Sequence, residues 1–125
     1  AVGKVDLVVG HNDLLAANFI DDGDRLWLID WEYGGLNSPL FDLAGLASNN
    51  ALSEAQERAV LAQYFGTDCE AHLRSYAAMK CSSLLRETLW SMTSEIHSEL
   101  EEDFAGYTAK NIEKLTSALA DFEHT

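Results

Sequence analysis

Residues 10–33 read GHNDLLAANFIDDGDRLWLIDWEY, and the organisation of the whole chain is best understood from this stretch. Two short apolar runs, at 19–20 and 26–29, flank the Asp-Gly pair at 22–23. An Asp-Gly pair between two apolar runs is typical of a β-hairpin. Because a hairpin returns the chain on itself, we expect Asn18, at the start of one strand, to lie beside Asp30, at the end of the other.

The polar side chains around this hairpin are oxygen ligands. Asn18 and Asp30 supply an amide and a carboxylate, and Asp13 lies one loop away. Hard oxygen ligands suit Mg²⁺, which usually takes one or two carboxylates and completes its shell with water and phosphate. The stretch therefore predicts a magnesium site.

The composition is that of one globular domain. The chain has 125 residues with a formal net charge of −13, from 21 acidic and 8 basic residues. Such a charge argues against nucleic-acid binding, which needs clusters of Lys and Arg. No apolar run approaches the length of a membrane span, and we expect no membrane partner. Cys69 and Cys81 fit no metal-ligand spacing, which favours reduced thiols in a cytoplasmic protein.

The rest of the chain reads as mostly helical. Val5–Val9 is either a buried strand or the approach to a loop, and Gly34–Gly35 is expected to break regular structure. Four helical stretches are predicted. The first covers 39–48, and the second runs from a capping box at 53–56 to residue 65. The third runs from a second capping box at 67–70 to about 97, with a break near 81–83, and the fourth, capped by Ser98, runs from about 101 to 122. The fold class is one compact, mostly α unit with a small β-hairpin.

A spacing motif adds chemistry to the polar loop. His11 to Asn18 reads His-x-Asp-x-x-x-x-Asn. In phosphoryl transfer, one carboxylate accepts or orients the proton of the attacking hydroxyl, an amide five residues later binds metal, and a further Asp bridges the metal to the phosphates. Asp and Asn also favour ordinary turns, but a hairpin ending in Asp30 makes turn chemistry alone a poor account of all three residues.

These segments resemble the protein-kinase-like small-molecule kinases, the group of aminoglycoside phosphotransferases and choline kinases. His11–Asp13 stands where protein kinases have His-Arg-Asp, and Ile29–Glu32 stands where they have Asp-Phe-Gly. The choline kinase pattern is matched best, by IDWEY at 29–33 followed by SPLFDLA at 38–44. Two later segments, LWS at 89–91 and GYTA at 106–109, are similar to parts of the choline pocket.

The resemblance implies a set of roles. Asp13 would be the catalytic base, and Asn18 and Asp30 would bind Mg²⁺ with ATP as co-substrate. His11 and Asp42 would support the catalytic loop, Asp42 by accepting backbone N–H groups. A cationic alcohol would be held by the side chains of Tyr33, Trp90, Tyr107 and Glu32. For Trp90 and Tyr107 ordinary helix packing is an equally good interpretation, and Glu32 is as well explained by local hydrogen bonding.

Two departures leave the substrate open. Asn49 stands where the family usually has an acid, and Glu87 stands where it often has a second aromatic residue. With Glu87 at this position, fewer aromatic side chains are available to contact a quaternary ammonium. Choline is the first expectation; ethanolamine, thiamine, an aminoglycoside, or a non-catalytic kinase-like binding fragment are the alternatives.

The nucleotide-clamping part of such a kinase is not recognisable in this sequence. Its eight glycines form no GxGxxG, and Lys4 precedes the catalytic loop. We therefore expect residues 1–125 to be the C-terminal lobe of an incomplete protein-kinase-like α+β fold, with the N-terminal lobe as a missing partner. Alone, this lobe should be inactive, and it should self-associate through apolar surface where that lobe would dock.

Overall fold

The computed structural model describes residues 2–125, in which four short strands precede four helices. The strands form two antiparallel pairs. Their bounds are β1 Val8–Gly10, β2 Phe19–Asp21, β3 Leu26–Leu28 and β4 Gly35–Asn37. The helices are α1 Pro39–Asn49, α2 Glu54–Phe65, α3 Cys69–His97 and α4 Phe104–Glu123.

The predicted hairpin is confirmed. β2 pairs with β3 so that Phe19 lies opposite Leu28 and Asp21 opposite Leu26. The turn is stabilised by Asp22, whose Oδ1 accepts hydrogen bonds from the backbone N–H groups of Asp24 at 2.9 Å and Arg25 at 2.8 Å. Gly23 has φ +93°, a left-handed conformation that glycine adopts without strain.

The prediction for the flanking segments is wrong in two respects. Residues 5–9 are exposed, and the strand there is β1, which extends to Gly10. Its partner is β4, formed where a break at Gly34–Gly35 was expected, and Gly10 lies opposite Gly35. Pairing across 25 residues is invisible to a local pattern. It closes residues 11–34 into one loop whose two ends meet.

An apolar pair lies on this small sheet. Val9 and Leu36 are cross-strand partners, and they are 76% and 70% exposed. Side chains of directly opposed residues lie on the same face of a sheet. We refer to these two residues as the strand apolar pair.

The starts of α1 and α2 confirm the cap signals. The Ser38 Oγ accepts from the backbone N–H of Leu40 at 3.2 Å, and Pro39 is the first helical residue. At α2, Ser53 Oγ accepts from Gln56 N at 3.3 Å while Gln56 Oε1 accepts from Ser53 N at 2.9 Å. These are the reciprocal bonds of a capping box. Gly66, at φ +65°, ends α2 as predicted.

The bounds of the last two helices differ from the prediction. A 3-10 turn, Gly66–Asp68, occupies the place of the second capping box. α3 runs without a break through residues 81–83, and Ser82 Oγ there donates to the Ala78 carbonyl at 3.3 Å, a bond that a continuous helix accommodates. α4 begins at Phe104, capped by Asp103, whose Oδ1 accepts from Gly106 N at 2.9 Å, so the predicted start near Glu101 is wrong.

The long helix α3 is the centre of the helical part and packs chiefly on α4 and α1. The apolar core joins α1, α2 and α3 through Leu40, Phe41, Ala44, Ala47, Leu61, Tyr76 and Met79. The predicted fold class, mostly α with a small hairpin, is thus confirmed. Among residues 2–125, no helix combines the length and the apolar character that a membrane crossing requires.

Candidate functional site

His11 fixes the start of the polar loop from the inside. The side chain is 2% exposed, and its ring meets Trp31 edge to face with centroids 4.8 Å apart. The backbone N–H of Asp13 donates to His11 Nδ1 at 3.2 Å, so Nδ1 is an acceptor. The proton of a neutral ring is then on Nε2, which lies 2.8 Å from the Ile29 carbonyl oxygen and donates to it. This one ring therefore ties the Asp13 loop to the residue before Asp30.

Asp42 holds the same loop from helix α1. Its Oδ2 accepts from the backbone N–H of His11 at 2.8 Å, and its Oδ1 accepts from that of Asn12 at 2.7 Å. Both donors precede Asp13 directly. A Cβ atom at Gly10 would lie 3.1 Å from Asp42 Oδ2, a tight contact that would push against the carboxylate in this position.

Two residues of the site adopt left-handed backbone conformations. Asn12 has φ +67° and Asp30 has φ +60°. Asn and Asp tolerate this region better than other non-glycine residues, but it still costs about 1 kcal/mol or more. Asn12 directly precedes the predicted base Asp13, and Asp30 is itself a predicted metal ligand. Strain of this kind is concentrated at functional sites.

The two predicted metal ligands lie side by side. The carbonyl oxygen of Asn18 accepts from the backbone N–H of Ile29 at 2.9 Å, which places Asn18 next to Asp30. The side-chain nitrogen of Asn18 donates to the Asp13 carbonyl at 3.0 Å. That bond orients the amide and leaves its oxygen as the atom to bind a cation. The Asp30 carboxylate is exposed.

This donor set fits Mg²⁺ that arrives with a phosphate. One amide oxygen and one carboxylate are too few ligands for a closed protein site, and no cluster of three His, Cys, Asp or Glu side chains able to hold a metal occurs among residues 2–125. Mg²⁺ commonly accepts such a minimal protein set when phosphate oxygens and water supply the rest. Asn18 and Asp30 would hold the ion, and its chemistry would be to neutralise charge on the phosphates.

The predicted substrate residues of α3 and α4 meet beside this loop. The Tyr107 hydroxyl donates to Glu87 Oε1 at 2.6 Å. Burial and the Glu87 carboxylate raise the pKa of Tyr107 to about 12, and the charge of Asp13 contributes to the rise. Trp90 lies edge to face against Tyr107, with ring centroids 6.3 Å apart, and is 48% exposed. Trp90 also lies edge to face against the buried Phe104, with centroids 6.0 Å apart, so the two aromatic residues pack together between α3 and α4 while remaining partly exposed to solvent.

Tyr33 and Glu32 lie in the turn that follows Asp30. Both are exposed, and the Tyr33 carbonyl accepts from the Asn12 side chain at 3.0 Å. The Tyr33 ring lies 6.0 Å from the guanidinium carbon of Arg86. The structure thus brings Tyr33 to the loop that contains Asp13. The role of Glu32 stays a prediction.

Two residues of the site were missed by sequence reasoning. Arg86 on α3 donates from Nη1 to the Asn12 carbonyl at 2.6 Å. Asn50, after α1, donates to the Leu14 carbonyl at 2.8 Å and accepts from the backbone N–H of Ala16 at 2.7 Å. Their partners lie 74 and more than 30 residues away in sequence, so no local pattern could have revealed them.

Comparison with known proteins finds choline and ethanolamine kinases among the similar proteins. A model of the choline/ethanolamine kinase family matches residues 2–62, which contain the whole polar loop and α1. The curated protein LicA of Haemophilus influenzae is 32% identical over 107 residues, 82% of this chain and 40% of LicA. Over the matched residues, this chain is similar to the choline/ethanolamine kinase family. It spans about 40% of the length of that relative.

Solved structures of the family superpose on most of the chain. A crystal structure of LicA in complex with AMP is 31% identical, covers 95% of this chain and has a TM-score of 0.76; the chain covers 41% of it. The choline kinase LicA from Streptococcus pneumoniae is 27% identical, covers 94% of this chain and has a TM-score of 0.72; the chain again covers 41% of it. The fold described above is thus a partial choline/ethanolamine kinase fold.

Proposed function

We propose that the protein carrying this chain transfers the γ-phosphate of ATP to the hydroxyl of a small amino alcohol, with choline as the preferred substrate. Residues 1–125 would be its C-terminal catalytic lobe, and the nucleotide clamp would be supplied by an N-terminal lobe. ATP and Mg²⁺ would be required. The unbonded thiols of Cys69 and Cys81 fit a cytoplasmic setting for such an enzyme.

The observation that carries the proposal is the network joining Asp13, Asn18 and the end of β3. His11 Nε2 and the Asn18 carbonyl both bind the backbone of Ile29, at 2.8 and 2.9 Å. A base and two oxygen ligands are thereby held in one small region before any substrate arrives. Preorganised placement of this kind supplies most of the catalysis in phosphoryl transfer.

The residues divide the chemistry among them. The Asp13 carboxylate would accept the hydroxyl proton as the alcohol oxygen attacks the γ-phosphorus, and ADP would leave as its oxygen's bond to that phosphorus breaks. Asp42 accepts the backbone N–H of His11, and His11 Nδ1 accepts that of Asp13, so both hold the backbone that leads into this carboxylate. Trp90, Tyr107 and Tyr33 would present aromatic faces to the cationic head group, each contact contributing about 0.5–2 kcal/mol.

A second candidate substrate is ethanolamine, and the observation that favours it is Glu87. Its carboxylate accepts from Tyr107 at 2.6 Å, beside Asp13. A primary ammonium can donate a charge-assisted hydrogen bond to a carboxylate, whereas a quaternary ammonium cannot donate at all. Glu87 thus offers ethanolamine a bond that choline cannot form.

The test is turnover by the full-length protein with Mg²⁺-ATP and, in turn, choline, ethanolamine, thiamine and an aminoglycoside, measured as ADP release. The proposal expects the highest kcat/KM for choline. For the second candidate, Glu87→Gln should lower kcat/KM for ethanolamine about tenfold or more while leaving that for choline within about twofold. Absence of turnover with every alcohol would instead support a non-catalytic binding role.

A further inference from the structure

Asn12, the residue before Asp13, is bonded through all four of its polar atoms. Its N–H donates to Asp42 Oδ1 at 2.7 Å, and its Nδ2 donates to the Tyr33 carbonyl at 3.0 Å. Its Oδ1 accepts from Asn37 Nδ2 at 3.1 Å. Its carbonyl oxygen accepts from Arg86 Nη1 at 2.6 Å. Because the Asn12 carbonyl belongs to the peptide that leads into Asp13, these bonds fix the backbone from which the Asp13 side chain extends.

The bond from Arg86 differs from the other three in origin. Asp42, Tyr33 and Asn37 all belong to the segment that runs from the hairpin into α1, whereas Arg86 belongs to α3. The hydrogen bond from Arg86 therefore links the Asn12 carbonyl to α3, the helix that carries Glu87 and Trp90. Arg86 and Trp90 are four residues apart, so they lie on the same face of α3.

The surroundings of Arg86 restrict its motion. Its guanidinium lies over the Phe41 ring, 4.9 Å from the centroid, and 6.0 Å from that of Tyr33. The ion pairs found among residues 2–125 do not include it. Its charge is thus directed at one backbone carbonyl between two aromatic rings. A planar guanidinium held in this way gives a bond of defined direction, which an ammonium does not.

We propose that Arg86 is a positioning residue for Asp13, and that it fixes the distance between the substrate residues of α3 and the catalytic loop. The inference rests on the proposed function. Loss of the guanidinium leaves the three nearby bonds to Asn12 in place, so the loop keeps its shape. It frees the loop to shift relative to α3, where the alcohol binds. A shift of about 1 Å between reacting groups can cost about a hundredfold in rate.

Helix α3 contains a matched control. Arg74 also donates from Nη1 to a backbone carbonyl, that of Thr125 at 2.7 Å, and its guanidinium also lies over a ring, 4.7 Å from the centroid of Phe122. The two arginines thus make the same kinds of contact on one helix, but only Arg86 contacts the catalytic loop. Arg74→Gln reports the cost of losing such contacts away from the site.

The experiment compares Arg86→Gln, Arg86→Lys and Arg74→Gln in the full-length protein, by steady-state kinetics with choline and Mg²⁺-ATP and by amide hydrogen exchange of residues 10–18. For Arg86→Gln we expect kcat to fall about 10- to 100-fold with KM for choline within about twofold, and exchange of residues 10–18 to quicken. Arg86→Lys should recover part of kcat, since it keeps one donor. Arg74→Gln should match the wild type in both measurements.

The inference is overturned if Arg86→Gln keeps kcat within about twofold and exchange is unchanged, or if kcat falls equally in Arg74→Gln. A rise in KM that accounts for the whole loss would also overturn it, because the residue would then act on binding. If the wild-type protein phosphorylates no alcohol, the proposed function fails. The exchange comparison between Arg86→Gln and Arg74→Gln then decides this inference alone.

Discussion

Replacing Asp42 by Asn tests how the catalytic loop is held. The carboxylate accepts two backbone N–H groups, from His11 at 2.8 Å and Asn12 at 2.7 Å. An Asn side chain has nearly the same shape but only one oxygen, so one N–H group must face an amide NH₂ group. Because His11 is 2% exposed, water is poorly placed to replace the lost acceptor on its side.

The magnitude follows from the kind of bond lost. A hydrogen bond to a charged group contributes about 1.5–3 kcal/mol, and an unsatisfied buried donor adds to the cost. Asp42 also lies in the first turn of α1, where a negative charge contributes a further ~0.3–1 kcal/mol. Together these predict a loss of about 2–4 kcal/mol in the free energy of unfolding. For a chain of this size, this corresponds to a fall of roughly 8–16 °C in Tm.

Urea denaturation followed by circular dichroism measures this difference. Asp103→Asn is the matched control, because Asp103 accepts a single N–H group, that of Gly106 at 2.9 Å, at an exposed helix start. Asn caps a helix about as well as Asp, so the control should lose less than about 0.5 kcal/mol. The reasoning is refuted if Asp42→Asn is also within about 0.5 kcal/mol of the wild type, or if both variants lose the same amount.

Three further predictions concern ionisation, metal and assembly. The Tyr107 hydroxyl should titrate at about pH 12, with stability lost as pH rises from the usual tyrosine pKa of about 10 through that value. In absorbance at 295 nm, Tyr107→Phe should lose this late step; if the variant instead loses part of a step near about pH 10, the prediction is contradicted. Calorimetry should detect binding of Mg²⁺ only with ATP present, and tight binding of Mg²⁺ alone would contradict the two-ligand site. In the same site, Asp30→Asn should lower kcat about a hundredfold or more. The 125-residue chain alone should self-associate in light scattering, and substitution of the strand apolar pair, Val9→Glu with Leu36→Lys, should restore a monomer; a monomeric wild-type chain would refute this.

The features predicted correctly are those with local causes. The hairpin is encoded by Asp22–Gly23 and its flanking strands, and the start of α2 by the four residues of its capping box. In these cases the residues that decide the conformation are also its hydrogen-bond partners. A single window of sequence therefore contains the whole argument.

The features that were missed depend on distant partners. β4 exists because Gly35 pairs with Gly10, although two adjacent glycines read as a break. Both Ser98 and Asp103 are competent caps, and Asp103 begins α4 because Phe104 is then buried against α3. The hydrogen bond from Arg86 to the Asn12 carbonyl joins residues 74 positions apart, and no pattern in the sequence around either residue predicts it.

The candidate site follows the same division. The order of Asp13, Asn18 and Asp30 predicted that they would meet, because the hairpin that joins them is local. Of their supports, Asp42 was expected from the family resemblance, whereas Arg86 could be placed only with α3 in position, since it reaches the loop from that helix. The contact between Tyr107 and Glu87, 20 residues apart on two helices, belongs to the same class.

The most direct test of the account is phosphate transfer by the full-length protein and its Asp13→Asn variant. Incubation with Mg²⁺-ATP and choline, followed by ³¹P NMR, measures the phosphate ester formed. We predict phosphocholine from the wild type and a rate about 10²–10⁴ lower from Asp13→Asn, with KM for ATP little changed. A variant that keeps more than about a tenth of the wild-type rate would contradict the assignment of Asp13 as the base.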